Sequence, residues 1–347
     1  MTVEQIPIGI HEEAVAHARR AARAAYLGWR HLQSEYSQDI DTVLATIETK
    51  GPWTWTLPMN GMATAPEAES TEAAESAPRD ELLQYVSATN LAEIRQQYEG
   101  MRTMVEVWDW ISMTDLRAGW YMLTHGVANL KDVQLDRWFQ LESVTMFPIG
   151  KDGILGEVQI GDFANERPNR WPEVPSETSA IPLPVKRLQA AILHNEFMEA
   201  LRAEDVPRII ATMRPTIATA IRSYLSDEYT VLNAEGAEAL RKYYEDLFAR
   251  FEIKEIRLVN RVVESWFVFA ELHWTVERRT EEHAGEVVEF CTADLAPIDS
   301  EGKFWVRTGA GTNPTRSDEA GLEIDAPYLD ERGPSHAQGW EFELING

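Results

Sequence analysis

Tyr26, Arg30, His31 and Tyr36 fall along one stretch of helical pattern and offer a base, a cation and two phenols. A neutral imidazole accepts a proton near pH 7, and a neighbouring guanidinium steadies the oxyanion or phenolate that proton removal leaves. The same residue types also serve as satisfied core or surface groups, so the pattern keeps both readings open. A second polar set, Arg222, Glu271, His273 and Asp294, lies within strand-like stretches. Glu271 and His273 are two residues apart and share a strand face. Asp294 sits between Ala293 and Leu295, and burial there demands a partner, such as Arg222, or a raised pKa. Cys291 reads as a small buried apolar residue rather than a nucleophile.

Aromatic residues crowd the first half: Trp29, Trp53, Trp55, Trp108, Trp110, Trp120 and Trp138. Such rings either wall a pocket for a flat apolar ligand or fill the core and inter-domain contact. The pocket reading takes Tyr26, Tyr36, Trp55, Trp110, Trp120 and Tyr121 as substrate-binding residues. There is no Gly-rich phosphate loop, no GxSxG elbow, and no HExxH or CxxC spacing. The eight histidines form no close metal-ligand pair. The expectation is no metal and no other cofactor, with chemistry done by side-chain acids and bases.

The chain has 347 residues, enough for two ordinary domains, and 44% apolar composition supports a core in each. A formal charge of −25 argues against nucleic acid and anionic membrane surfaces as partners. The single cysteine excludes an internal disulfide framework and fits a reducing compartment. No signal peptide and no membrane-spanning apolar run is evident. The expected location is cytoplasmic.

These residues must be placed by elements, and the elements occur twice. Helices are expected over 11–38, from Asp39, and over 91–103. Strands are expected at 53–57, 105–115, 119–130, 136–147 and 154–160. The second series has helices at 186–203, 205–213 and 237–251, and strands at 217–225, 253–264, 266–278, 286–297 and 304–309. Gln38-Asp39-Ile40-Asp41 returns as Glu204-Asp205-Val206-Pro207, Tyr98 as Tyr244, Trp120-Tyr121 as Trp266-Phe267, and Phe147-Pro148-Ile149 with Gly153 as Ala296-Pro297-Ile298 with Gly302. The offset is 166 at the first block, 146 at the next two and 149 at the last. The change from 166 to 146 places an insertion between Ile47 and Ile94, at a low-complexity stretch within 59–80. The later change places three extra residues near Thr280–Gly285. The expected layout is domain 1 at 1–164, a Pro-rich linker at 165–184, domain 2 at 185–311 and a polar tail at 312–347. The insertion reads as a lid or a solubilising loop.

Helices followed by a curved antiparallel sheet give an α+β class. The helix hinge at Gln38-Asp39, the third helix through Tyr98 and Tyr244, and the Phe147-Pro148-Ile149…Gly153 hairpin resemble the NTF2-like superfamily. That superfamily includes ketosteroid isomerase, SnoaL-type cyclases, scytalone dehydratase and limonene epoxide hydrolase. The resemblance spans about 11–163 and 186–311. It implies two fused cone-shaped domains, each of three helices packed on a curved antiparallel sheet. It further implies an intrachain pseudo-dimer through the sheet faces, with homo-oligomers also open.

The resemblance places His31 where ketosteroid isomerase carries its oxyanion-binding tyrosine, and Phe197 at the matching place in the second copy. The isomerase's proton-shuttling aspartate falls at Leu57 and near Ser223, so that mechanism does not transfer. Glu142 falls on the strand that carries an acid in several relatives. The candidate catalytic set is therefore His31, Glu142 and Arg30, with Arg222, Glu271, His273 and Asp294 as the alternative. The expected function is a cofactor-independent lyase, dehydratase or isomerase acting on an apolar aromatic or polycyclic molecule, such as a lignin-derived diaryl or polyketide-like compound. A non-catalytic small-molecule-binding or scaffold protein is the rival, and a dioxygenase-subunit role is a third option that the duplication disfavours.

Overall fold

A computed structural model describes residues 8–49, 54–56, 90–103, 105–134, 136–150, 152–161, 182–225, 228–280, 283–299 and 301–312. The 59–80 insertion, nearly all of the 165–184 linker and all but the first residue of the 312–347 tail lie outside them. The alanine-rich first helix, α1 (Ile8–Tyr36), stops where Gln38 turns left-handed at φ 57°. Asp39 then caps α2 (Ile40–Leu44) by accepting the Asp41 N–H. The second half repeats this hinge. α4 (Leu183–Arg202) ends at Glu204, φ 52°, and Asp205 caps α5 (Val206–Ala211) by accepting the Arg208 N–H. A left-handed non-glycine residue costs roughly 1–2 kcal/mol. Both hinges hold theirs by a tether to the sheet. Gln38 Nε2 donates to Val107 O at 2.8 Å, and Glu204 Oε1 accepts the Ile253 N–H at 2.8 Å.

The first half continues with β1 (Thr54–Thr56), α3 (Leu91–Arg102), β2 (Val105–Arg117), β3 (Tyr121–Asp132), β4 (Arg137–Pro148) and β5 (Gly156–Gly161). The second continues with β6 (Met213–Leu225), β7 (Glu228–Glu235), α6 (Ala237–Arg250), β8 (Phe251–Val263), β9 (Phe267–Arg278), β10 (Val287–Pro297) and β11 (Phe304–Thr312). The sheet orders are β1-β5-β4-β3-β2 and β7-β6-β11-β10-β9-β8. Each sheet is antiparallel except at one matching place, where β1 runs parallel to β5 and β6 to β11. The α+β class with curved antiparallel sheets is thus as expected. β2 bulges between Val107 and Asp109 and between Ser112 and Thr114. β8 bulges between Ile253 and Glu255 and between Leu258 and Asn260, the same four places 146 residues on. Paired bulges bend a strand in register with its neighbours, which curves both sheets alike. β7 was not expected from the sequence. Its run Glu228-Tyr229-Thr230-Val231-Leu232-Asn233-Ala234-Glu235 only pairs at the sheet edge, along β6.

Residues of the central strands alternate between two buried surfaces. Met122, Phe139, Leu141 and Phe147 point to the helices of the first half, with Trp29, Leu32, Ile94 and Tyr98. Val268, Ala270, Leu272 and Ala296 do the same in the second half, with Phe197, Leu201 and Tyr244. The intervening residues form a third core. Tyr121, Leu123, Val144, Met146, Val158 and Ile160 pack with Phe267, Phe269, Ala293, Leu295, Val306 and Ala310. The sheets therefore meet face to face, and their central strands are largely buried on both sides, while β2 and β8 keep exposed residues. No described helix is long and apolar enough to cross a membrane.

Candidate functional site

On the helix side of the first sheet, four elements converge on His31. α1 supplies His31 and, one turn later, Glu35; α3 supplies Tyr98; β5 supplies Glu157; the turn after α2 supplies Thr46. His31 is completely buried, and Glu35, Tyr98, Glu157 and Thr46 are buried around it. Thr46 Oγ1 gives its hydrogen to Val43 O at 2.6 Å, so it accepts from His31 Nδ1 at 2.5 Å. That leaves Nε2 as the acceptor nitrogen, 2.9 Å from the Tyr98 hydroxyl. Tyr98 also lies 3.4 Å from Glu157 Oε2. Nε2 is 3.7 Å from Glu35 Oε1 and 3.9 Å from Glu157 Oε2.

Burial governs the protonation of the cluster. It lowers His31 to about 4, with the Glu35 charge pulling weakly the other way. It raises Glu35 to about 8, helped by the charge of Glu157, and raises Glu157 to about 8 as well. Tyr98 moves well upward, through burial and then through Glu157 and Glu35. At neutral pH the site holds a neutral imidazole, a phenol and two carboxylic acids. The single Tyr98 hydroxyl hydrogen has two acceptors within reach, Nε2 at 2.9 Å and Glu157 Oε2 at 3.4 Å. The donor atoms of His31, Glu35 and Glu157 lie within 4.8 Å of one another, so this trio could also hold a divalent cation. Spacing along the chain gave no hint of it.

The other sequence candidates do not join this cluster. Arg30 is exposed on α1 and so is not placed to hold an anion beside His31. Glu142 lies on the opposite face of the sheet, because one residue of strand register decides the side. It accepts from Trp266 Nε1 at 2.9 Å and lies 3.1 Å from His125 Nε2, so the His31–Glu142 pairing does not form. Trp110 is buried in the first core, with Nε1 on Thr124 at 3.1 Å. Trp120 and Tyr121 sit between the sheets, and both donate to Glu271, at 3.1 and 2.8 Å. Tyr26 and Tyr36 are partly buried against the first core. Burial, with the charges of Glu35 and Asp109, raises the Tyr36 phenol. Trp108 and Trp138 stack edge to face on the exterior, 4.7 Å apart. The side chain of Trp55 lies outside the described residues, although its backbone stands opposite Glu157 in the β1–β5 ladder. The tryptophans whose side chains are described are thus spread over two cores and a surface rather than gathered in one pocket.

The alternative set also divides. Glu271 is buried between the sheets, and His273, further along the same face, pairs with Arg257 at 2.8 Å and Glu289 at 3.5 Å. Asp294 points the other way, into the second half, and its partner is Arg307 at 2.9 Å rather than the expected Arg222, whose side chain is outside the described residues. Asp294 and Arg307 line a cavity of about 20 Å³ with Tyr243, Trp274, Phe290 and Thr292, room for one or two water molecules. Burial raises Asp294 to about 7 and lowers Arg307 to about 10. Sequence reasoning missed Glu35, Glu157 and Arg307. Only the Tyr98–Tyr244 repeat pointed toward these positions.

No family model and no curated protein matches the chain. Several solved structures are similar to it. An NTF2-like protein from Burkholderia xenovorans is 12% identical, covering 38% of this chain and 95% of its own, with a TM-score of 0.30. A ketosteroid isomerase-like protein from Erwinia carotovora is 14% identical over 37% of this chain and 98% of its own, TM-score 0.29. An LEH-like epoxide hydrolase from Mycobacterium tuberculosis is 13% identical over 39% of this chain and 90% of its own, TM-score 0.29.

Proposed function

We propose that the chain is a fused pair of NTF2-like domains, 1–164 and 185–311 joined by a linker at 165–184 and followed by a tail at 312–347. In this reading the first domain is a cofactor-independent acid–base enzyme of the lyase, dehydratase or isomerase kind. One comparison carries it. By the repeat offsets, His31 and Glu35 correspond to Phe197 and Leu201, and the β4–β5 and β10–β11 registers set Glu157 against Arg307. The second half packs its core with Phe197 and Leu201 at those places. The fold therefore does not need a histidine and a carboxyl there, and burying them costs free energy that packing alone does not repay. Two coupled carboxyls that titrate near pH 8 give up their protons in separate steps. After the first step one acts as base and the other as acid, and Tyr98 and His31 carry the proton between them. An apolar aromatic or polycyclic substrate suits the surrounding core.

The test is hydrogen exchange in heavy water, with aryl ketones and β-hydroxy aryl carbonyl compounds as a substrate panel, read by NMR. The full chain should take up deuterium at the acidic carbon. His31→Phe, which installs the residue of the second half, and Glu157→Gln should each lower the rate by about 100-fold or more while keeping the fold. Chelator should leave the rate unchanged; loss with chelator would hand the cluster to a metal instead. Equal activity in both variants would reject the site. The tight burial around His31 favours a second reading, a non-catalytic scaffold, which predicts no exchange with any member of the panel.

A further inference from the structure

The cavity of the second half has more hydrogen-bond donors than acceptors. Arg307 Nη2 is bonded to Asp294, but Nη1 has no partner among the described residues, on a residue only 5% exposed. The guanidinium is fixed in place, its carbon 4.7 Å over the Phe197 ring and 5.8 Å from the centre of Tyr244. Thr292 Oγ1 accepts Trp274 Nε1 at 3.0 Å, so its own hydrogen is left to donate. Tyr243, whose phenol burial raises to about 12, lines the same space and adds a third donor. Facing them is one carboxyl, Asp294, already engaged.

A buried donor without an acceptor costs roughly 1–3 kcal/mol. A charged N–H donor left over at Nη1 best matches an anionic oxygen such as a carboxylate's, and the stacked Trp274–Phe290 pair gives the space a flat apolar wall. The volume admits a head group that replaces one or two waters and little more. We propose that the second half binds a small planar monocarboxylate, of formate to acetate size, on Arg307 Nη1 with Thr292 and Tyr243 as further donors. The site is separate from the His31 cluster and does not depend on its chemistry.

Isothermal titration of the full chain with sodium acetate, against sodium chloride at equal ionic strength, tests this. Saturable acetate binding is expected, with benzoate weaker by about tenfold or more. Asp294→Asn removes the competing carboxylate and should tighten acetate about tenfold. Asp294→Asn combined with Arg307→Gln should abolish binding. Should that pair of changes fail to fold, Thr292→Val should still weaken acetate measurably. Absence of saturable binding in both the parent and Asp294→Asn, acetate affinity that ignores Arg307 and Thr292, or benzoate binding as tightly as acetate would overturn the proposal.

Discussion

His31 is held at both ring nitrogens, and the two carboxyls beside it make the pH dependence of folding readable. Glu35 and Glu157 hold their protons to about 8 in the folded chain, against an ordinary value of 4.5. Between those values the unfolded chain has released protons that the native state retains, so this contribution to stability falls as pH rises, then levels off. His31 acts in the opposite sense, gaining stability between about 4 and 6.5, and Asp294 acts with the carboxyls up to about 7. The window from pH 7 to 8 is therefore governed mainly by Glu35 and Glu157, with a smaller share from the last part of the Asp294 titration. Stability should drop there by about 2 kcal/mol, measured by denaturant titration, and the Glu35→Gln, Glu157→Gln double variant should flatten the drop. An unchanged slope would place its source elsewhere. His31 was legible as a base in the sequence. Glu35 looked like any helix-surface glutamate, and Glu157 followed a turn with nothing to mark it.

Elements position the cluster through the turn that carries Thr46. Ile154 N donates to Thr46 O, and a Cβ added at Gly153 would come within 2.6 Å of Thr46 O and 2.7 Å of Glu48 N. Gly153→Ala should cost about 1–3 kcal/mol, seen as a lower unfolding midpoint. The caps make a matched pair for comparison. Asp39→Ala and Asp205→Ala should each cost about 1 kcal/mol, because each leaves a first-turn N–H without its cap at an equivalent hinge. A large inequality between them would show that the two hinges differ in role. The hinges, bulged strands and hairpins were legible because capping residues and apolar alternation are local signals. The edge strand β7 was not, since an edge needs only one buried side and carries little pattern.

Across the whole molecule the sheets are joined crosswise. Trp120 donates to Glu271 of the second half, and Trp266, its repeat counterpart 146 residues on, donates to Glu142 of the first, although the two glutamates sit on non-equivalent strands, β9 and β4. Trp266→Phe removes the donor and keeps an aromatic ring, though a smaller one, and should lower stability by at least about 1–3 kcal/mol by leaving Glu142 one partner short. An excised 182–312 fragment would expose Phe267, Phe269, Leu295 and Val306 together. Sedimentation should find it self-associated, since an apolar face of that kind seeks a partner. A monodisperse monomer would contradict the pseudo-dimer reading.

Chain order, the doubled element pattern and the α+β class were determined by the sequence alone, because capping, alternation and repeat offsets are local and survive in a string of letters. Which face each strand residue took, and hence that Glu142 and Glu271 bridge the sheets while Glu157 and Asp294 look inward, was decided only in three dimensions. One step of register inverts a side chain, and no local signal records which of two equally buried surfaces it will meet.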